Sequence, residues 1–298
     1  MKHQEKILDE YGPKCYPFLK WAGGKTQLLD RLDKFIPLTF NRYFEPFLGG
    51  GAFFYHLTSV RNLRFVAYLS DMNQELINVY KVVKANVEEL VDILKTYKKE
   101  YHQAPKYFYH ELRDKFDIKN SAPVVRAARF ITLNKTCYNG LYRVNSCGKF
   151  NVPMGKYKSP IICDSMNLRN ASLILRSIDA HLYCEDYQKI LSDKANEGDF
   201  VYLDPPYNPM TTTANFTGYT GAGFTKTDQE CLAETFMKLD ARGCKVLLSN
   251  SDTAYVRELY VDYVRNTFQV NVRRNINSIA SKRKGHKELL ISNFITRK

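Results

Sequence analysis

The chain has 298 residues, 44 Lys and Arg against 31 Asp and Glu, and a formal net charge of +13. A hydrophobic content of 44% with 13% aromatic residues excludes a disordered chain, and the length suits one large domain or two modest ones. The apolar runs at 200–203, 246–248 and 289–291 are short and broken by charge, which argues against a membrane span, and the charged segment 1–10 lacks the apolar stretch of a secretory signal. A cytoplasmic, monomeric protein with a polyanionic partner is the expectation.

An apolar run at 18–21 ends in Ala22-Gly23-Gly24-Lys25-Thr26, and a helical pattern follows. Residues 42–47 read as a strand, Gly49-Gly50-Gly51 as a turn, and 52–57 as the start of a helix. A second strand at 64–69 closes on Ser70-Asp71 and leads into a helix over 73–84. Strand, glycine turn, helix, strand is the order of a parallel α/β layer. Helical patterns dominate 87–133, and 134–160 is rich in Gly, Asn, Pro and Tyr with little periodicity. From 181 the alternation resumes, with strands at 182–184, 200–203 and 245–249 and helices near 187–192, 228–239 and 254–260. The last two runs, 267–272 and 288–294, have no helix-length connection and are expected to pair as an antiparallel hairpin. The predicted organisation is an α/β domain formed by 1–84 and 178–298, interrupted by a mainly helical, basic insertion at 85–177.

The positive charge is concentrated. From 118 to 163 there is no acid but eight Lys and Arg, and from 265 to the end nine basic residues face Glu288 alone, so each segment carries +8 and the remainder is −3. Two solvated faces would explain this, and so would a nucleic-acid footprint. Tyr138, Asn139, Tyr142, Asn145, Phe150 and Asn151 interleave the first segment, which favours contact with bases as well as phosphates. The seven Cys are scattered singly without a CxxC pair, as suits reduced thiols, and no metal site is expected.

The chemistry is concentrated in Phe200-Val201-Tyr202-Leu203 followed by Asp204-Pro205-Pro206-Tyr207. A buried strand delivers a carboxylate at its carboxyl end, the edge where open α/β sheets place ligands. Two prolines then fix φ and remove two backbone donors, leaving carbonyls that only accept, and an aromatic ring closes the loop. Acceptors beside a π-face suit a flat group bearing an NH2 and suit a phosphate poorly. Upstream, the glycine turn allows close backbone approach to a ligand, and Asp71 ends the next strand where a carboxylate grips ribose hydroxyls. Two decoys fail. Gly24-Lys25-Thr26 looks like the tail of a P-loop, but the position of its first glycine is Leu19, and no complete G-x-G-x-x-G supports a nicotinamide dehydrogenase.

Asp204-Pro205-Pro206-Tyr207 together with Glu45-Pro46-Phe47-Leu48-Gly49-Gly50-Gly51 resembles the DNA amino-methyltransferases that use S-adenosyl-L-methionine (AdoMet), in the motif order of their alpha group. Residues 18–25, 138–143 and 150–153 resemble the Dam-type adenine methyltransferases acting on GATC, and the likeness runs from 18 to 294. It implies a Rossmann-like methyltransferase sheet, AdoMet as cofactor without a metal, and double-stranded DNA as substrate. A restriction endonuclease acting on the same site is a candidate functional counterpart. The resemblance implies AdoMet contacts at Trp21, Lys25, Glu45, Phe47, Gly49, Gly51, Asp71 and Asp204, with Asp186 and Tyr187 near its adenine. By the residues alone, Trp21 is equally a core aromatic and Asp186 equally a helix cap. Catalysis is implied for Asp204, Pro205, Pro206 and Tyr207: the carboxylate and a proline carbonyl accept the two N–H bonds of a flipped-out adenine, and the ring stacks on the base. Lys20 and Arg143 are implied to read guanines, Leu141 and Pro153 to touch thymine, and Tyr138, beside Asn139, to fill the gap left by the flipped base. A surface charge at Lys20, a core role at Leu141 and a phosphate clamp at Arg143 are the alternatives. Arg273 and Arg274 are expected at phosphates, and 211–223 is either a lid or a plain surface loop.

Overall fold

Strands of four to seven residues alternate with helices to build one seven-stranded sheet. The computed structural model describes residues 13–115, 120–207, 224–272 and 286–294. The strands are β1 (Arg42–Glu45), β2 (Val66–Ser70), β3 (Ala180–Tyr183), β4 (Phe200–Leu203), β5 (Lys245–Ser251), β6 (Thr267–Val272) and β7 (His286–Ser292). Their order is β3-β2-β1-β4-β5-β7-β6; the first five are parallel, and β7 runs antiparallel between β5 and β6. The mixed α/β class and the terminal antiparallel hairpin thus match the sequence expectation. β1 stops at Glu45, two residues early, because Pro46 has no N–H for the ladder.

The helices are α1 (Leu29–Leu32), α2 (Ala52–Tyr55), α3 (Gln74–Ala85), α4 (Val87–Gln103), α5 (Pro105–His110), α6 (Pro123–Thr136), α7 (Ser165–Ser177), α8 (Tyr187–Lys194), α9 (Lys226–Ala241) and α10 (Ala254–Leu259). Side-chain caps set several starts: Asn73 accepts from Leu76 N before α3, and Thr225 and Asp228 form a reciprocal capping box at α9. Helix α7 lies in a stretch left unassigned by the sequence reading, although its Asp164 cap and the spacing of Leu168, Ala171, Ile174 and Leu175 are helical signals.

All four residues of β4 are buried because helices cover both faces of a parallel sheet. Successive residues divide between the faces: Phe200 and Tyr202 join the core that holds α3, α4, α6 and α7, while Val201 and Leu203 join the core under α8 and α9. Within 85–177, therefore, much of α4, α6 and α7 shares a core with the sheet. A smaller cluster of Tyr109, Leu112, Leu133, Cys137, Phe150 and Val152 supports the segment after α6. Among the described residues, no helix is long and apolar enough to cross a membrane.

The strand order reverses between the parallel neighbours β1 and β4. From β1 the chain moves to β2 on one side, and from β4 to β5 on the other, so the two loops diverge and leave a crevice at the carboxyl edge. At the opposite edge Arg42 clamps the pair, its guanidinium donating to both oxygens of Asp199 at 3.1 and 2.6 Å. The Asp199 side chain is 1% exposed, so removal of its cation strands a buried charge. Arg42→Ala is expected to lower the unfolding free energy by about 2 kcal/mol or more, measured by urea denaturation, whereas Arg42→Lys should recover part of the loss.

Candidate active site at the carboxyl edge

Asp204 is the first residue beyond β4, and Lys25 Nζ lies 2.7 Å from its Oδ1. The same ammonium donates to Gly23 O at 2.9 Å and sits 4.7 Å from the centre of the Tyr207 ring. Lys25 meets Oδ1 as an ion pair out of line for a good hydrogen bond, and this buried oxygen keeps its accepting capacity. Burial pushes the Asp204 carboxyl up to about 6; Lys25 opposes that rise and Glu288 adds to it. Pro205 is buried and Pro206 half-buried, and the Tyr207 hydroxyl donates to Glu288 Oε2 at 2.9 Å. The sequence reading counted Glu288 as one acid in a basic tail. Its isolation among basic residues is the one available signal, since the pairing of β7 with β5 and β6 brings it to Tyr207, 81 residues earlier in the chain.

The glycine turn faces this loop across the crevice. Gly49 and Gly51 have φ of 49° and 64°, a region that favours residues without a Cβ. A Cβ on Gly49 would also lie 2.6 Å from Trp21 Cδ1, so the indole packs directly on the turn. Asp71 holds the turn from the next strand, accepting from Gly49 N at 3.0 Å and Asn73 N at 2.9 Å. Each carboxylate oxygen has a second lone pair, which leaves Asp71 able to accept hydroxyls as well. Glu45 is buried beneath the turn and accepts from the Tyr43 hydroxyl at 2.7 Å. Phe47 packs on Tyr187, ring centres 5.1 Å apart, and Asp186 caps α8 by accepting from Gln188 N at 2.8 Å. The capping alternative for Asp186 is therefore realised.

Trp21 also faces the basic segment, stacking with Phe130 and Tyr142 at 6.4 and 6.2 Å. Beyond Tyr142 the chain turns back in a short antiparallel hairpin, bridged at Cys137–Met154 and Val144–Phe150. Arg143 is exposed and its Nε donates to Asn151 Oδ1 at 2.7 Å. Tyr138 is 46% exposed, its N–H bound to Pro153 O at 2.8 Å, and Asn139 takes a φ of 54° in the tight turn 138–140 at the base of the hairpin. Pro153 is exposed and Leu141 half-buried against the small cluster. Lys20 reaches the hairpin because buried Asn134 accepts from Lys20 N at 2.8 Å and donates to Lys20 O and Gly140 O at 2.7 and 3.0 Å. Sequence reasoning missed Asn134, whose amide is the clasp. The Lys20 ammonium lies 3.8 Å from the centre of the Tyr157 ring.

The first +8 segment is not one surface. Arg129 is buried and donates to Leu112 O at 2.7 Å, and Arg126 pairs with Glu75. Arg273, Arg274 and the stretch 211–223 lie outside the described residues.

A family profile described as D12 class N6 adenine-specific DNA methyltransferase matches residues 21–276. The chain belongs to this family. It is 43% identical over 291 residues to the type II methyltransferase M.MjaIII of Methanocaldococcus jannaschii, covering 93% of this chain and 99% of that protein. It is 38% identical to the type II methyltransferase M1.LlaDCHI of Lactococcus lactis, with 93% and 95% covered. The DNA adenine methylase of Escherichia coli K12 is also 38% identical, over 274 residues, covering 92% of this chain and 93% of that one. The protein is thus an N6 adenine-specific DNA methyltransferase.

Glu45 provides a pH test of the site's foundation. Burial raises its carboxyl to about 8, with Tyr43 opposing, so the folded methyltransferase holds a proton that the unfolded chain releases in the ordinary carboxylate range. This contribution to stability is full at low pH and is lost as pH rises through about 8. In Glu45→Gln that pH-dependent loss should vanish. Thermal unfolding across this window is expected to show the variant gaining on the parent as pH rises.

Proposed function

We propose that this methyltransferase transfers the methyl group of AdoMet to N6 of an adenine flipped out of duplex DNA within GATC. The buried Asp204 Oδ1, ion-paired with Lys25 but with lone-pair capacity left to accept an N–H, carries the reading. The exocyclic amine of adenine is a weak nucleophile because its lone pair is delocalised into the ring. Asp204 accepts one N–H and the Pro205 carbonyl the other, which holds the nitrogen nearer tetrahedral geometry and directs its lone pair. Pro206 stiffens the loop and Tyr207 stacks on the base. AdoMet, when bound, supplies the electrophilic methyl. Trp21, Lys25, Phe47, Gly49, Gly51, Asp71, Asp186 and Tyr187 line its side of the crevice, and Glu45 supports the turn from below. The Gly49 and Gly51 backbone fits a ligand in close approach, and Asp71, with lone pairs to spare, fits ribose hydroxyls.

Residues 1–84 and 178–298 supply this chemistry, and 85–177 supplies target recognition. Arg143 forks to guanine O6 and N7, Lys20 reads the second guanine, Leu141 and Pro153 meet thymine methyls, and Tyr138, flanked by Asn139, fills the vacated stack. Arg273 and Arg274 take phosphates. Support comes from the hairpin that gathers 138–153 and from the Asn134 clasp that adds Lys20 to it. A counterpart endonuclease cutting the same site would find its substrate blocked, which a digestion-protection assay reads directly.

With labelled AdoMet, duplexes containing GATC should acquire label on adenine, while duplexes lacking it should not; equal labelling of both sinks the site assignment. Asp204→Ala should abolish transfer while retaining DNA affinity within a few-fold. Arg143→Ala should relax discrimination at its guanine by about 1–3 kcal/mol in transfer efficiency, with little change in the salt slope of binding.

A further inference from the structure

The geometry points to Glu288 as a positioning residue: from β7 its carboxylate holds the Tyr207 hydroxyl and so fixes the ring on which the target base stacks. The inference rests on the assignment of Tyr207 to the base. Glu288 is paired with Ser251 of β5 and Val270 of β6, in the part of the sheet held on both sides, and is 7% exposed. Among the described residues no Lys or Arg lies in salt-bridge reach of it, and its hydrogen-bond partner is the phenol of Tyr207 at 2.9 Å. Burying a carboxylate against a phenol contributes little to stability by itself. What the arrangement does achieve is orientation. Pro205 and Pro206 fix the backbone ahead of Tyr207, but the ring still turns about two side-chain bonds. The bond to Glu288 fixes its far end to the sheet, while Lys25 lies over its face. A stacking platform held at both ends keeps the base in register with the acceptors of Asp204 and Pro205, and small misplacements of reacting groups are costly.

The test uses the full-length enzyme, GATC duplex and AdoMet near pH 8, where Asp204, at about 6, stays ionised despite changes at Glu288. Glu288→Gln keeps an accepting oxygen and should stay within about threefold of the parent kcat. Glu288→Ala should lose about tenfold or more in kcat with KM for AdoMet little changed. Tyr207→Phe should lose a similar factor, and adding Glu288→Ala to it should cost little further, because the shared bond is already gone. Additive losses, or a Gln variant as impaired as Ala, would show that Glu288 acts through general packing and overturn the proposal. A second readout is independent of turnover: with 3-fluorotyrosine incorporated, the fluorine resonance of Tyr207, assigned through Tyr207→Phe, should hold its position in Glu288→Gln and move in Glu288→Ala. A resonance unmoved in both variants refutes the anchor even if the parent enzyme methylates nothing, whereas a moved resonance with an inactive parent refutes the functional reading and leaves the anchor standing.

Discussion

A carboxylate at the end of a fully buried strand, balanced against one ammonium, is the constraint around which the site is built. Ionised Asp204 is costly in that position, and Lys25 offsets part of the cost from a segment 179 residues earlier in the chain. The pairing therefore ties the stretch after Trp21 to the carboxyl end of β4. It also leaves one oxygen without a well-formed hydrogen bond, a condition tolerated where a substrate donor completes the set. Glu288 in β7 adds negative charge on a second side, while Glu45 beneath the glycine turn, its carboxyl raised to about 8 by burial, keeps its proton, so three acidic residues surround a crevice that opens where β1 and β4 diverge.

Trp21 links the two halves of the molecule's task. One edge of the indole rests on Gly49, and its face meets Phe130 and Tyr142 in the basic segment. The residue just before it, Lys20, is clasped by Asn134 to the hairpin of 137–154, while Lys25 reaches Asp204. A single short stretch of chain thus touches the proposed base reader, the glycine turn and the proposed catalytic carboxylate. Geometry at one of these is transmitted to the others through packed rings and short hydrogen bonds rather than through a flexible linker.

Charge was the least literal guide. The eight basic residues of 118–163 read as a single surface, yet Arg129 is consumed by backbone carbonyls inside the protein, Arg126 by Glu75, and Lys135 is pushed down to about 8 by burial and by Lys20. Arg143 and Lys20 do remain beside the hairpin, so the inference of a basic face survives with fewer members. The acid that closes the opposite segment, Glu288, is withdrawn from the surface altogether. Whether a charge faces water or a carbonyl depends on which helix covers it, and net charge contains no such information.

Local chemistry, the alternation of strands and helices and the terminal hairpin were legible along the chain. The stop of β1 at Pro46 was overlooked, but the prolines that stiffen the loop after β4 and the lack of a helical pattern between the last two runs, which pair antiparallel, were both readable. Each of these follows from backbone sterics or from a short repeat that neighbouring residues express by themselves. Long-range side-chain partnership was not legible: Lys25 with Asp204, Tyr207 with Glu288, Asn134 with Lys20 and Trp21 with Gly49 join residues from 28 to 179 positions apart. Such pairs have no periodicity to betray them. They exist because the sheet reverses its order between β1 and β4 and because β7 inserts beside β5, and it is that topology which decides which polar groups are buried together and must satisfy one another.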